Sequence, residues 1–220
     1  MPLHRVLRRH RAASGFTLIE VIGVVAVIAI LAAVLTPRVV SVIARGKVNA
    51  TAQSLGSLKS ATADYVAKNG SFPVRSGTGT TNSAVSVGRF DADLVAGGFT
   101  EKLFGCSIGT QTFDASALTG RTHVRSLAAV SSGAVTAPSA TVGGDNFDLD
   151  RDSSTPDFTT GQMVVSAFIP GVALSDAIAL NKILDGDENT GTGADTTGRC
   201  MYSAASSANT VTVYIYVAHY

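Results

Sequence analysis

The chain of 220 residues has little of several residue types, and each shortage argues against a class of protein. It contains no tryptophan, only two cysteines and four histidines, and charged residues make up 15% of it. The cysteines have no histidine or second cysteine near them in sequence, so a zinc site has no ligands to draw on. No nucleophile-elbow or metalloprotease motif occurs, so we do not expect an enzyme. A hydrophobic content of 45% predicts a chain that buries a core.

Basic residues are concentrated at the N-terminus. The first fifteen residues contain no acidic residue and four arginines: Arg5, Arg8, Arg9 and Arg11. The rest of the chain then has 13 basic and 16 acidic residues, so it is mildly acidic. A mildly acidic chain is a poor general binder of nucleic acid, and we expect no nucleic-acid partner.

A long apolar run follows the basic segment. Residues 16–35 read FTLIEVIGVVAVIAILAAVL and contain one ionisable side chain. Twenty helical residues extend over about 30 Å, the thickness of a bilayer core, so this run is a candidate transmembrane helix. By the positive-inside rule, the residues that follow it face away from the cytoplasm. A cleaved secretory signal, a permanent single-span anchor and a leader with an attached helix all fit this pattern.

The position of Glu20 favours the third interpretation. A carboxylate at the centre of a membrane helix costs about 2.5 to 3.5 kcal/mol, and neither a plain signal nor an anchor gives a reason for it. The residues Ser14-Gly15-Phe16-Thr17-Leu18-Ile19-Glu20 resemble the N-terminal motif of the type IV pilin and type II secretion pseudopilin superfamily. The resemblance implies that a prepilin peptidase cuts after Gly15 and methylates the new amino terminus at Phe16. It also implies that Thr17 and Glu20 are assembly residues, with Glu20 paired to the Phe16 amine of a neighbouring copy.

The resemblance implies the organisation of the chain as well. It predicts a leader peptide at 1–15, a long helix at 16–69 whose residues 16–36 cross the membrane, and a globular head at 70–220. Pro37 falls where the family has an assembly-related proline that kinks the helix. Apolar residues at spacings of three and four continue beyond it, and Asn69-Gly70 is a plausible stop, so we expect the helix to run to about Lys68.

The composition after Pro73 changes to glycine, serine, threonine and alanine with short apolar runs, which is typical of strands joined by loops. The predicted strands are Val124–Val130, Val135–Val142, Met163–Ile169 and Thr210–Ala218. We expect a short helical turn and a Gly-Gly break within Ala92–Phe104. A short helix is predicted at Asp176–Leu184, capped by Ser175, with Ile178, Ile183 and Leu184 inward. These elements predict an α+β fold, in which a small antiparallel sheet packs on the second half of the long helix.

The two cysteines, Cys106 and Cys200, lie far apart in sequence. A single disulfide between them would suit an oxidising compartment, and closing so long a loop contributes about 4 to 5 kcal/mol. The alternative is a pair of buried free thiols.

Acidic residues are dense in two short stretches after the middle of the chain. The first has a carboxylate at nearly every second residue, which can surround a hard cation such as calcium, although it lacks the glycine at the sixth position and the glutamate at the twelfth position of an EF-hand. The resemblance strengthens this hypothesis, since some major pseudopilins carry a structural calcium in the head. The alternative is a pair of solvated turns. The candidate ligands are Asp145, Asp148, Asp150, Asp152, Asp185 and Asp187.

Together these patterns predict a structural subunit of a type II secretion pseudopilus or type IV pilus-like filament. Its partners would be the prepilin peptidase, other copies of the chain, minor pilins or pseudopilins, and an inner-membrane assembly platform. It would cross the bacterial inner membrane once, with the head outside the cytoplasm, before entering a periplasmic or extracellular filament. The alternatives are a single-span anchored binding domain that never polymerises and, within the family, an adhesive or DNA-uptake pilin.

Overall fold

A computed structural model describes residues 15–73, 89–110, 121–129, 147–152, 157–159, 161–186 and 193–220. The chain divides into two compact units, residues 1–42 and residues 43–220. Helix α1, Leu18–Asn69, contributes residues to both units.

The described part of the first unit is helical from Leu18 onward, and its side chains are exposed on every side of the helix. Its large apolar side chains, from Leu18 to Val42, are all more than half exposed. A helix that is apolar all round belongs in a protein core or in a membrane, and no core covers this one within the described chain.

The described part of the second unit consists of the C-terminal part of α1, two further helices and one sheet. Helix α2 is Phe90–Ala96 and helix α3 is Leu174–Asp185. The strands are β1 (His123–Ala128), β2 (Met163–Ala173), β3 (Cys200–Tyr202) and β4 (Thr210–His219). The sheet order is β1-β2-β4-β3, and every pair is antiparallel. A long helix followed by a small antiparallel sheet confirms the predicted α+β, pilin-like architecture.

The pairing register assigns alternate residues to the two faces of the sheet. One row across the sheet, in spatial order, is Val124, Ala167, Ile215 and Cys200. All four side chains are buried, and they belong to the same core as the inward residues of α1: Val48, Leu55, Leu58 and Ala61. This face therefore carries the main core, and the amphipathic half of α1 is packed into it as predicted.

The next row faces the other way and lies in a second, smaller core. Its members are His123, Phe168, Tyr214 and Met201. Phe147 and Phe158 cover this face, and both rings lie 5.8 Å from the ring of Tyr216. Residues 147–158 thus begin and end on the sheet, although they contain no strand within the described positions.

Three of the predicted strands are confirmed as β1, β2 and β4, while Val135–Val142 lies outside the described residues. Strand β2 extends four residues beyond the predicted end, through Pro170 and Gly171. The pairing with β4 is irregular between Ile169 and Val172, which lets a proline sit in the strand. Strand β3 was not predicted, because three residues are too few to show an alternating pattern.

The predicted short helix is confirmed as α3, but its N-terminal details were wrong. The helix begins at Leu174, and its N-cap residue is Ala173, which makes no side-chain cap bond, so Ser175 is not the cap. Ile183 is 49% exposed rather than inward. The core instead takes Leu174, Ala177 and Leu180, whose spacing follows the helical repeat from the true start.

Helix α2 and the Gly97–Gly98 turn confirm the predicted helical segment and glycine break. A buried ion pair links α2 to the loop that follows it. The Arg89 guanidinium donates two hydrogen bonds to the Asp91 carboxylate, which also accepts one from the Phe104 backbone N–H at 2.9 Å. Because both side chains are about 1% exposed, losing either partner would leave a buried charge uncompensated.

Candidate functional site

The start of α1 is fixed by two polar side chains. The backbone N–H and the hydroxyl of Thr17 donate to Glu20 Oε2 at 2.9 and 2.8 Å, and the Glu20 N–H donates to Thr17 Oγ1 at 3.3 Å. This reciprocal arrangement is a capping box, with threonine at the N-cap and glutamate three residues later. The Phe16 side chain, directly before it, is 86% exposed. Glu20 therefore has a local role as a helix cap besides any role in assembly.

Pro37 lies inside α1, which continues for more than thirty residues beyond it. Proline has no backbone N–H, so the carbonyl four residues earlier receives no bond from it. In the turn beside this gap, the Thr36 hydroxyl donates to the Ala32 carbonyl at 2.7 Å. Pro37 thus does not end the helix.

Helix α1 is the one described helix whose length and apolar composition suffice to cross a membrane. Its apolar residues occupy the N-terminal portion, where the side chains are exposed. Glu20 is the single acidic residue in that portion, because the next acidic residue along the chain is Asp64. The helix and its first turn together fit a membrane-anchored pilin.

An acidic cluster lies in the second unit. Carboxylate oxygens of Asp148, Asp150 and Asp157 all lie within 4.8 Å of one another. Asp157 Oδ2 also accepts the backbone N–H groups of Leu149, at 2.5 Å, and Asp150, at 3.0 Å, which holds Asp157 beside these two residues. Asp148 is buried, while Asp150 and Asp157 are exposed. These oxygens are the donor type that calcium prefers.

The structure brings together only some of the predicted ligands. Asp148 and Asp150 meet, but Asp152 lies outside the three-carboxylate group, and its N–H donates to Asp150 Oδ1 at 3.2 Å. Asp145 and Asp187 lie outside the described residues. The ligand set omitted Asp157. The sequence signal that could have identified Asp157 is its position at the end of the same acidic stretch. Only the fold, however, brings its carboxylate close to that of Asp148.

The Asp185 carboxylate binds backbone groups of β3 and the residue before it instead of joining the three-carboxylate group. Its carboxylate accepts the backbone N–H groups of Arg199, at 3.1 Å, and Cys200, at 2.8 Å, and Arg151 lies 3.7 Å from it. Burial raises the pKa of Asp185, and the two backbone hydrogen bonds oppose that shift. The carboxylate also lies so close to Gly198 that a Cβ there would be 2.7 Å from Asp185 Oδ2. Asp185 therefore links the C-terminal end of α3 to the start of β3 through these hydrogen bonds.

The predicted disulfide is not formed: Cys106 and Cys200 are both buried thiols. Cys106 Sγ lies 3.0 Å from the Ile108 carbonyl oxygen and 3.9 Å from the hydroxyl of Thr122, which directly precedes β1. Cys200 is the first residue of β3. Burial raises the pKa of the Cys200 thiol, which keeps it protonated and unreactive.

His123 is the buried histidine of the second core. Its Nδ1 lies 2.7 Å from the Arg121 carbonyl oxygen, and its ring packs 4.8 Å from that of Phe168. Burial lowers the pKa of His123 to about 4, and the nearby Arg125 and Arg89 charges act in the same direction. The imidazole is therefore neutral at pH 7, where it serves packing and a hydrogen bond.

Comparison with known protein families identifies the N-terminal segment. Residues 10–36 match the family described as the prokaryotic N-terminal methylation motif. No curated protein and no solved structure matches the chain significantly. The matched residues include the predicted cleavage position, the Thr17–Glu20 box and the apolar part of α1. The match points to a structural protein rather than an enzyme. The chain thus carries the prepilin-type signature of the type IV pilin and pseudopilin superfamily, joined to a pilin-like α+β fold.

Proposed function

We propose that the protein is a filament subunit that polymerises through the N-terminal part of α1, in a type II secretion pseudopilus or a type IV pilus-like fibre. The observation that carries this proposal is Glu20, a carboxylate in a segment that is otherwise apolar and exposed. In a packed bundle of such helices, the Phe16 amine of a neighbouring copy would neutralise it. Exposed apolar side chains on all sides of the helix would supply the remaining contacts.

The proposed pathway begins in the membrane. A prepilin peptidase would remove residues 1–15 and methylate Phe16, and the processed subunit would wait with its folded part outside the cytoplasm. An inner-membrane assembly platform would then add it to other copies and to minor subunits. The pseudopilus is our first choice, because the Asn69-Gly70 exit from α1 and the acidic loops of the folded part resemble those of pseudopilins.

Mass spectrometry of the N-terminus from native membranes tests the first step. We expect a mature chain that starts at N-methyl-Phe16, and an uncut chain when the processing peptidase is deleted. A chain that starts at Met1 in both strains would instead support the alternative, a single-span anchored binding domain. A start beyond Leu31 would indicate an ordinary secretory signal, and either result would overturn the filament proposal.

We also propose calcium as the ligand of the acidic cluster. Three carboxylates whose oxygens lie within 4.8 Å of one another repel each other, and a bound cation would relieve that repulsion. Backbone carbonyls and water would have to complete the six to eight oxygens that calcium takes. The ion would stiffen residues 147–158, which cover one face of the sheet through Phe147 and Phe158.

A further inference from the structure

The part of α1 that follows the apolar run is strongly one-sided in charge. Between Val21 and Ala63 the helix contains no acidic residue and four basic ones: Arg38, Arg45, Lys47 and Lys59. All four side chains are exposed. Among the residues that the structure describes, none of the four has a carboxylate within salt-bridge distance. Within the described residues, these four charges thus have no acidic neighbour.

Arg45 and Lys47 lie on two different flanks of the helix. At about 100° per residue, Lys47 is about 200° round the helix from Arg45, which leaves an arc of about 160° on the other side. The inward residue Val48 lies within that arc, about 60° from Arg45 and about 100° from Lys47. Val48 is 1% exposed because it packs in the main core. A protein partner would contact one flank of the helix, whereas a lipid headgroup layer reaches both exposed flanks. Charges on both flanks therefore favour lipid over a docked protein.

The distance along the chain also suits a membrane surface. Arg45 and Lys47 come ten and twelve residues after Leu35, the last residue of the apolar run, which is at most about 15 to 18 Å of helix. Lipid headgroups extend about 5 to 7 Å outside the hydrocarbon, so the long basic side chains have to reach back toward them, with their stems on apolar surface. Each basic residue near an anionic membrane surface contributes about 1 kcal/mol of attraction.

We propose that Arg45 and Lys47 bind the phosphate groups of anionic phospholipids in the leaflet next to the folded part of the subunit. The pair would hold the unassembled subunit at a fixed depth. These contacts would have to break before a subunit leaves the membrane and joins a filament. The lipid composition of the membrane would therefore contribute to the free energy of extracting the subunit. The inference rests on the proposed function for the membrane insertion of α1, but not for polymerisation.

The test uses the processed, full-length chain in a mild uncharged detergent, where no filament is present. Native mass spectrometry counts bound lipid during titration with dioleoylphosphatidylglycerol and, separately, with dioleoylphosphatidylcholine. We expect the unchanged chain to prefer phosphatidylglycerol and the double variant Arg45→Gln/Lys47→Gln to bind it about 30-fold more weakly, which corresponds to about 1 kcal/mol for each charge. Lys59→Gln is the matched control, because it removes an exposed charge from the same helix twelve residues beyond Lys47.

Three results would overturn the proposal. These are equal binding of both lipids by the unchanged chain, no loss in the double variant, or an equal loss in Lys59→Gln. If the double variant keeps its lipid but loses cross-links between copies, the two charges serve a subunit contact instead. Failure of the filament proposal is seen separately, as missing fibres, and would leave the lipid titration of the processed chain unchanged. Circular dichroism of each variant establishes that α1 and the sheet are intact.

Discussion

Replacing Glu20 by glutamine separates the two roles of this residue. In the capping box, Glu20 Oε2 accepts two hydrogen bonds from Thr17, at 2.9 and 2.8 Å. A glutamine carbonyl oxygen can accept the same bonds, and glutamine is the other residue found at this position of capping boxes. Glutamine has no charge, however, so it cannot pair with a neighbouring amine. Alanine removes both functions.

The two roles predict losses of different size. Glu20→Ala removes one half of a capping box on an exposed first turn, which is a small loss because Thr17 stays at the N-cap, and Glu20→Gln retains most of that half. Removing one partner of a buried ion pair costs roughly 3 to 5 kcal/mol, which is about a 150- to 5,000-fold loss of affinity between subunits. Both variants should therefore fail to form filaments. Thr17→Ser, which keeps the capping hydroxyl and the charge, should assemble nearly as the unchanged chain does.

Filament yield is measured by shearing and electron microscopy, and membrane insertion by resistance to alkaline extraction. Both glutamate variants should remain fully inserted. If Glu20→Gln forms filaments at the normal level while Glu20→Ala does not, Glu20 acts as a helix cap and the charge-pairing argument is refuted. If both variants polymerise normally, the N-terminal carboxylate has no part in assembly.

Two further predictions concern the folded part. The pKa of His123 in the folded chain is about 4, below the unfolded value of 6.5, so its contribution to stability is complete above pH 6.5. Acidification from pH 6.5 to 4 should remove roughly 3 kcal/mol from the free energy of unfolding, and urea titrations of His123→Phe should show a flatter dependence over this range. Calcium at 100 times its Kd should stabilise the chain by about 2.7 kcal/mol, a rise in Tm of about 5 to 10 °C that a chelator reverses. Asp157→Asn should abolish the rise and Asp152→Asn should leave it, whereas an unchanged Tm in calcium would refute the site.

Most of α1 was predictable from the sequence because its determinants are local. Apolar spacing, a threonine three residues before a glutamate, and the Asn69-Gly70 stop all act within one or two turns of helix. Gly70 takes a positive φ of 79°, and the helix ends at Asn69, within one residue of the predicted end. The strands with long alternating runs were predictable for the same reason.

The errors all involve contacts between distant parts of the chain. Strand β3 exists because β4 offers a free edge, and its three residues show no periodicity of their own. Burial of Leu174 in the main core lets α3 begin one residue before Ser175, so a good capping residue goes unused. The cysteines looked like a pair because there were two of them, but in the folded chain each is a separate buried thiol.

The sequence by itself determined the processing motif, the apolar run, the lone carboxylate within it and the α+β class, since each of these depends on residue types at short spacings. Only the tertiary structure decided which carboxylates meet. Asp157 joins Asp148 across nine positions of sequence, while Asp185 is held by backbone N–H groups of β3. The physical reason is that a side chain's partners depend on strand order and loop closure, which many weak contacts fix together.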